Sequence, residues 1–339
     1  MFYCEKYDEY RKCEGMKLRE DRFIIKVVEM YYKQGMSQVE IGKKLEVSRT
    51  TVARALTKAR KQGYVEIKIN YPEGAVISKE EQLEKKYNLR EAAVACQKPN
   101  EDITEEVAYY ASDFILRILH DHMTLGMARG ETIAKTIACL KEDVRLKFLK
   151  PEDIRVVTLM ATTNIPAGAD LQYKRAYSNY LCEETANILN GTIYHILAPQ
   201  YVDNGETKQL FLREKNVKTV LNIAANADAA LIGIGTVDEH SAMVRGRLLP
   251  EKQFEELKQK GGVGELLSHI IDKEGNLIED GFEERLISLD LESLKKIPVR
   301  IGVASGIRKA EAVRAALNKQ YINVLITDEY IADYLLGAK

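Results

Sequence analysis

The pattern of apolar and polar residues divides the chain into two parts. Up to about residue 63, apolar residues recur every three or four positions in short runs, as in helices. From residue 89 onward, short apolar runs alternate with helical patterns, as in α/β proteins. We therefore predict a head of residues 1–70, a linker helix within residues 71–88 and a body of residues 89–339.

Three short helices are predicted in the head. The first begins after the capping residue Asp21 and ends at Gly35. The second opens with the capping box Ser37–Glu40, in which Ser is the N-cap and Glu stands three residues later. Ser48 caps the third helix, which ends at Gly63. Their apolar faces consist of Phe23, Ile24, Val27, Val28, Met30, Tyr31, Ile41, Leu45, Val52, Ala55, Leu56 and Ala59.

The last two of these helices, joined by a tight turn, are typical of a helix-turn-helix, whose second helix enters the major groove of DNA. The alternating residues Tyr64–Ile69 predict a strand that forms a wing. Near the start of the third helix, Arg49 can pair with guanine, and Thr50 or Thr51 can contact thymine methyl groups or phosphates. A helical hairpin that only mediates protein contacts is the alternative.

Further along the third helix, the basic side chains are better placed to contact phosphates, which position the protein without specifying sequence. The candidate DNA-binding residues are Ser37, Gln38, Ser48, Arg49, Thr50, Thr51, Arg54, Lys58 and Arg60.

Strands and helices alternate in the body. The predicted strands are Glu91–Cys96, Met123–Met127, Arg155–Met160, Thr192–Leu197, Ala229–Ile234, Val299–Ala304 and Val324–Thr327. The predicted helices include Thr104–Leu119, Thr132–Leu140, Tyr173–Leu189, Thr207–Leu212, Val217–Ala225, Lys309–Leu317 and Asp328–Leu336. This alternation predicts a doubly wound, mostly parallel α/β sheet covered on both faces. In such sheets, ligands bind beyond the carboxyl ends of the strands.

Four loops at predicted strand ends carry residues suited to ligand binding. Gly126–Thr132 opens a helix whose free amides attract a phosphate or carboxylate, and Ser305–Lys309 is a second candidate anion site. Met160–Asn164 is rich in hydroxyls, and Gly233–Thr236 permits close approach of a ligand to the backbone. An ordinary glycine turn is the alternative for each loop alone, but four such loops favour a shared site.

Composition narrows the class of protein. Of the 339 residues, 45% are hydrophobic and 30% are charged, as in folded globular proteins. No apolar stretch approaches the roughly 20 residues that span a bilayer, and residues 1–6 lack the apolar core of a signal peptide. The five scattered cysteines form no CxxC pair, which excludes a zinc ribbon or a thioredoxin motif. We expect a cytoplasmic protein with reduced thiols, no membrane partner and no cofactor.

Charge is unevenly spread along the chain. The formal net charge is −1, but residues 1–70 carry 16 Lys and Arg against 10 Asp and Glu, which leaves the head at +6 and the remainder at −7. A small basic head on a large acidic body indicates a polyanion-binding module joined to a domain with another role.

The residues Met36–Leu56 and Ala59–Val65 resemble the head of SorC-family bacterial transcriptional regulators. The resemblance continues in order to about residue 336, through Ala227–Gly235, Gly262–Leu266, Ile271–Gly275, Ile301–Ala316 and Asn323–Glu329. It implies a body related to ribose-5-phosphate isomerase and glucosamine-6-phosphate deaminase that senses a phosphorylated sugar. It also implies assembly as dimers or tetramers.

The resemblance also implies a set of effector contacts. The loop Gly126–Thr132 and Lys309 would hold phosphate, while Ala161–Thr163, Gly235 and Asp272 would border the sugar. The candidate effector-binding residues are Gly126, Ala128, Arg129, Gly130, Thr132, Ala161, Thr162, Thr163, Gly235, Asp272, Gly306 and Lys309.

The chain departs from the family pattern at the phosphate loop and at the next loop. Family members often carry an aromatic residue where Arg129 stands and Arg where Glu131 stands, and many have Gly-Gly where this chain has Ala161-Thr162. Arg129 can still reach an anion, whereas Glu131 would repel one. A non-phosphorylated effector is therefore the alternative to a sugar phosphate.

These observations predict a transcriptional regulator, a homodimer or homotetramer that binds double-stranded operator DNA under the control of a small carbohydrate effector. One alternative is an enzyme like the isomerases and deaminases, but Asp238–His240 does not reproduce the deaminase pattern. Another is a DNA-binding scaffold with a vestigial pocket. A metal site at His120–His122 lacks an evident third ligand.

Overall fold

A computed structural model describes the chain over seven ranges. These ranges are residues 21–65, 77–96, 102–162, 175–239, 241–245, 251–278 and 281–337. The chain divides into two compact units, Met1–Pro72 and Glu73–Lys339. None of the helices within the described ranges has the length and apolar content that a bilayer crossing requires.

Helices make up most of the described part of the smaller unit. Helix α1 is α-helical over residues 21–28 and continues as a π-helical segment, Glu29–Lys33. Helix α2 spans Gln38–Lys44, and helix α3 spans Arg49–Lys61. Asp21 is itself helical, so the prediction that it caps α1 is wrong. The predicted wing lies outside the described residues beyond Val65.

Both predicted caps of the helix-turn-helix are present. The Ser37 hydroxyl accepts the N–H of Glu40 at 3.3 Å, and the Glu40 carboxylate accepts the N–H of Ser37 at 2.8 Å. This backbone hydrogen bond lowers the pKa of Glu40, which keeps the capping box intact at neutral pH. At α3, the Ser48 hydroxyl accepts the N–H of Thr51 at 3.1 Å. The capping residues therefore fix where α2 and α3 begin.

One apolar cluster holds the three helices together. Its buried members are Ile24, Val27, Met30, Ile41, Val52, Ala55, Leu56 and Ala59. Four of them come from α3 at helical spacing, so that one face of this helix is buried. The opposite, polar face of α3 is left toward solvent.

Ten strands are present in the described part of the larger unit. They are β1 Glu91–Ala95, β2 Thr124–Met127, β3 Arg155–Thr158, β4 Thr192–Tyr194, β5 Ala229–Gly233, β6 Gly235–Thr236, β7 Gly262–Leu266, β8 His269–Asp272, β9 Val299–Val303 and β10 Val324–Asp328. Seven of them form one parallel sheet in the order β1-β10-β9-β5-β2-β3-β4. The other three form a small antiparallel sheet in the order β6-β7-β8.

Helices alternate with the strands of the large sheet. They are α4 Ile77–Tyr87, α5 Ile103–Ile118, α6 Glu131–Glu142, α7 Ser178–Leu189, α8 Gly205–Arg213, α9 Lys215–Ala225, α10 Ala242–Arg245, α11 Glu251–Gln259, α12 Leu291–Leu294, α13 Ala310–Asn318 and α14 Glu329–Leu336. Short 3₁₀ segments lie at Val144–Lys147, Glu283–Arg285 and Ile307–Lys309. The buried residues of the parallel strands form the centre of the main apolar cluster, as expected for a sheet covered by helices.

The seven strands predicted from the sequence are the seven strands of the parallel sheet, each within a few residues of its predicted ends. The small sheet was not predicted. Its strands contain Gly235, Gly262 and Gly264, which resemble loop residues in a sequence. Packing explains Gly264, because a Cβ atom there would lie 2.9 Å from the Cβ of Ala312 on α13.

Helix α4, which we expected to be a linker, packs within the larger unit along the edge strand β1. Leu83 of this helix is fully buried in the main cluster. The Glu84 carboxylate accepts the N–H of Ala92 at 3.0 Å, and the Glu80 carboxylate accepts the N–H of Val94 at 2.8 Å. Burial raises the pKa of Glu80. The two glutamates, one helical turn apart, thus satisfy two backbone donors of the edge strand.

A substitution at Gly42 tests how tightly the two helices of the helix-turn-helix and their turn pack together. A Cβ atom there would lie 2.8 Å from the carbonyl oxygen of Val47, a backbone atom of the turn before α3. Gly42→Ala must therefore displace this turn, and we expect it to destabilise the smaller unit by about 1–3 kcal/mol in chemical denaturation. The exposed control Lys43→Ala should change stability by about 0.5 kcal/mol or less. Equal unfolding curves for the two variants would show that the turn can move to accommodate the Cβ atom without a loss of unfolding free energy.

Candidate functional site

The polar face of α3 is an exposed basic surface. Ser48, Arg49, Thr50, Thr51, Arg54 and Arg60 are exposed, and Lys58 is half-buried. The helix contains no acidic residue. Its exposed side therefore carries the positive charge that attracts a phosphate backbone. The structure thus leaves the predicted DNA-binding residues of α3 accessible.

Hydrogen bonds order both ends of this surface. At the N-terminus of α3, the Ser48 hydroxyl lies 3.2 Å from the Thr50 hydroxyl and 2.8 Å from the Thr51 hydroxyl. Near the C-terminus, the Arg60 Nε donates to the Tyr32 hydroxyl of α1 at 3.1 Å. At the start of α2, the N-cap Ser37 is exposed and Gln38 is half-buried. The Ser37 and Ser48 hydroxyls act first as helix caps, a role that the sequence also predicted.

A cavity of about 290 Å³ lies at the carboxyl ends of β2, β5 and β9, between the parallel sheet and the small antiparallel sheet. Its position agrees with the rule that open parallel sheets bind ligands where their strands end. The predicted residues that line it are Ala128, Arg129, Gly130, Thr132, Gly235, Gly306 and Lys309. Thr236 and Arg308, from two of the predicted loops, also line it, whereas the sequence analysis did not assign Glu265, Ser241 or Tyr177 to the effector site.

The start of α6 forms one wall of the cavity. Gly130 is the N-cap, with φ and ψ both at 151°, and it has no side chain with which to cap the helix. Its own N–H donates to the carbonyl oxygen of Ala176 at 3.0 Å, which holds the loop in place. The first N–H groups of a helix lack intrahelical acceptors, and the helix dipole adds partial positive charge there. Buried Thr132 brings a hydroxyl group to the same wall.

A second loop faces the cavity after β9. Gly306 has a φ of 91°, a value that favours glycine, and precedes the 3₁₀ segment that carries Lys309. The N–H of Gly306 donates to the carboxylate of Asp328. The other carboxylate oxygen of this fully buried Asp328 accepts the N–H of Ile331 at 2.9 Å and so caps α14. One buried side chain therefore joins the cavity loop to the start of α14.

A buried ion pair lies in the cavity wall. Nη2 of Arg129 is 3.1 Å from Oε1 of Glu265, and the two side chains are only 9% and 8% exposed. The same oxygen of Glu265 accepts the N–H of Ser268 at 2.9 Å. The other oxygen lies against Gly235, where a Cβ atom would approach it to 2.8 Å. Gly235 therefore makes room for the carboxylate, a role that the sequence did not reveal.

Four predicted effector residues do not line the cavity. Gly126 lies inside β2, where a Cβ atom would meet the Leu159 side chain at 2.6 Å, and Ala161 is buried in an apolar cluster. The Thr162 hydroxyl accepts a hydrogen bond from Nδ2 of Asn179 at 2.9 Å. Asp272 accepts the N–H groups of Glu274 and Asn276, so its carboxylate orders the turn after β8. Thr163, which was also predicted, lies outside the described residues.

None of the described residues that line the cavity is a histidine or a cysteine. Within the ranges that the structure describes, no group of three or more His, Cys, Asp or Glu side chains is placed to hold a metal ion. Nδ1 of the exposed His122 is 3.4 Å from the Asp153 carboxylate. Burial raises the pKa of the Cys96, Cys139 and Cys182 thiols, which makes them poor nucleophiles at neutral pH.

Each of the two parts of the chain matches the model of a known protein family. The family model described as "Putative sugar-binding domain" matches residues 73–337. The model described as "Sigma-70, region 4" matches residues 26–62, the segment that contains α2 and α3.

Curated relatives match nearly the whole chain. Transcriptional regulator LsrR from Klebsiella pneumoniae is 28% identical over 333 residues, which cover 97% of this chain and 97% of the relative. Transcriptional regulator LsrR from Escherichia coli O157:H7 is 29% identical over 320 residues, covering 94% and 95%. Both of these relatives are transcriptional regulators.

Solved structures share the fold. The full-length sorbitol operon regulator SorC from Klebsiella pneumoniae is 26% identical and superposes with a TM-score of 0.68, covering 93% of this chain and 98% of SorC. A DeoR family transcriptional regulator from Listeria monocytogenes is 25% identical with a TM-score of 0.67, covering 76% of this chain and 98% of the regulator. Architecture and sequence therefore point to the same class of protein.

The buried ion pair of the cavity wall has a measurable consequence for stability. Arg129→Met removes the guanidinium and leaves the Glu265 carboxylate buried without its opposite charge, so we expect a loss of about 3–5 kcal/mol in urea denaturation. The matched control is Lys252→Ala, which breaks a 4.0 Å pair with Glu256 at an 89% exposed lysine. That control should cost about 1 kcal/mol or less. Similar losses in both variants would contradict the importance of the buried pair.

Proposed function

Because the chain belongs to this sugar-binding domain family over residues 73–337, we propose that it is a transcriptional regulator whose affinity for operator DNA is controlled by a small phosphorylated sugar. The observation that carries the proposal is the cavity at the strand ends, with its helix N-terminus and Lys309, in a chain that also presents the basic face of α3. In this proposal the effector and the operator DNA are the ligands of the protein, and no cofactor takes part in the change of DNA affinity.

The cavity suits a small anionic sugar. The N-terminus of α6 supplies backbone donors and partial positive charge for a phosphate, and Thr132 and Lys309 add a hydroxyl and an ammonium group. A volume of about 290 Å³ is just below the range of about 300–1,000 Å³ that is usual for ligand cavities. This size favours a single monosaccharide over a dinucleotide or an oligosaccharide.

The smaller unit supplies the DNA contacts. Arg49 at the exposed N-terminus of α3 is placed to read a base edge, while Arg54 and Arg60 contact phosphates. We propose that the protein acts in the cytoplasm as a homodimer or homotetramer. Its heads would then read half-sites about one helical turn apart, or a multiple of that spacing.

A chain of contacts within the larger unit links the cavity to α4. Asp328 joins the Gly306 loop to the start of α14. Helix α14 in turn holds α4 through Lys79–Asp333 at 2.6 Å and through the Lys86 ammonium, which donates to the carbonyl oxygen of Leu335 at 2.6 Å. In sequence, α4 is the first described helix after the smaller unit. We propose that effector binding acts along this route by favouring one arrangement of the heads, with a coupling of about 1–3 kcal/mol.

Arg49 should determine operator discrimination. We expect Arg49→Ala to weaken binding to the preferred operator by about 1–3 kcal/mol, while binding to unrelated DNA changes much less, because a base contact is lost. Arg54→Ala is the control for a phosphate contact and should weaken binding to both DNAs alike. Fluorescence anisotropy with operator and scrambled duplexes measures both. If Arg49→Ala keeps the same preference for the operator over the scrambled duplex, Arg49 does not read a base edge.

Lys309 should be needed for the effector response. We first expect at least one member of a sugar-phosphate panel to raise the melting temperature and to change operator affinity. Lys309→Ala should then bind that compound about tenfold more weakly or worse, because the phosphate loses a cation, while keeping its affinity for DNA. The exposed Lys296→Ala, outside the cavity lining, is the charge-matched control. A Lys309→Ala protein that responds at the same concentration as the wild type would refute the phosphate assignment.

A further inference from the structure

The cavity lining carries a nearly balanced set of charges. Its three basic side chains are Arg129, Arg308 and Lys309, and its two acidic side chains are Glu131 and Glu265. At neutral pH the lining therefore has a net charge of +1, to which the start of α6 adds about half a positive charge. This total is about equal in size to the charge of a single phosphate ester.

The basic side chains of the lining differ in their exposure. Arg308 is exposed and Lys309 is half-buried, whereas Arg129 lies in the 3.1 Å pair with Glu265 and is 9% exposed. A phosphate that bound the Arg129 guanidinium would have to share it with the Glu265 carboxylate. Two anions would then face each other in a buried wall, where electrostatic repulsion is much stronger than in water.

Charge arithmetic distinguishes effectors with one phosphate from those with two. A phosphate ester carries about −1.5 to −2 at neutral pH, so one ester already offsets the positive charge of the lining and of the helix terminus. A second ester would leave the cavity with an excess of roughly two negative charges. Screening by salt is weak for charges at this depth, so the excess remains costly in physiological buffer.

We propose that the cavity selects effectors with a single phosphate ester and rejects those with two, and that Glu265 sets this selectivity by occupying the Arg129 guanidinium. This inference rests on the proposed function, since it concerns the effector of the same cavity. The remaining lining offers uncharged hydroxyl groups from Thr236, Ser241 and Tyr177. The non-phosphorylated end of the effector is accordingly a neutral polyol that pairs with hydroxyls and with the Glu265 carboxylate.

The test compares matched pairs of ligands on the full-length protein by isothermal titration calorimetry. The pairs are ribose 5-phosphate with ribose 1,5-bisphosphate, fructose 6-phosphate with fructose 1,6-bisphosphate, and glucose 6-phosphate with glucose 1,6-bisphosphate. Inorganic phosphate is included as the minimal anion. We expect at least one monophosphate to bind at least about tenfold more tightly than its bisphosphate partner.

Two variants test whether Glu265 causes the preference for monophosphates over bisphosphates. Glu265→Gln removes the carboxylate charge and keeps the shape, so it should reduce the ratio of monophosphate to bisphosphate affinity about tenfold. Glu131→Gln removes one negative charge from a more exposed position of the same lining, where solvent screens it, and it should reduce the ratio by a clearly smaller factor. If Glu265→Gln does not fold, the wild-type ratio still tests the selectivity, and Arg129→Lys, which keeps every charge of the lining, should leave that ratio unchanged.

The possible results separate the two proposals. A bisphosphate that binds as tightly as its monophosphate, or more tightly, overturns the single-phosphate inference and leaves a sugar-phosphate regulator intact. A ratio that Glu131→Gln changes as much as Glu265→Gln overturns the role of Glu265. Absence of binding by every phosphate, inorganic phosphate included, overturns the proposed effector class and the selectivity together.

Discussion

The common direction of seven strands is the constraint on which the candidate effector site depends. Because the strands of the large sheet are parallel, the loops after β2, β5 and β9 all emerge at one edge, where the first turn of α6 also begins. The backbone N–H groups of a helix N-terminus, a helix dipole and the side chains of three distant segments therefore meet in one place. None of these segments would form a site alone, since each is a short glycine-containing loop.

Periodicity and capping residues were sufficient to predict much of the fold. Seven apolar runs predicted the seven parallel strands, and the caps at Ser37 and Ser48 correctly located α2 and α3. These features are encoded locally, by residues a few positions apart. The rule that ligands bind at strand ends then led from local patterns to the cavity, and Gly130, Thr132 and Lys309 all line it.

The sequence could not predict features that depend on contacts between distant segments. Glu265 is one residue of a short glycine-rich segment, and only folding brings it to Arg129, 136 positions earlier. Gly126 looked like part of a phosphate loop, but packing against Leu159 explains it. Asp272 was expected to border the sugar, and both of its carboxylate oxygens accept hydrogen bonds within the turn after β8. In each case the side chain has a suitable chemistry, and the tertiary neighbours decide its use.

The pairing of Glu80 and Glu84 with the backbone of β1 has a consequence for how molecules can associate. An edge strand normally offers its free N–H groups to a strand from another molecule. Here the donors of Ala92 and Val94 are taken by carboxylates of α4, and the helix covers the strand. Sheet extension from one copy into the next is therefore blocked at this edge, and any self-association there must use the side chains of α4 in place of a continuous intermolecular ladder.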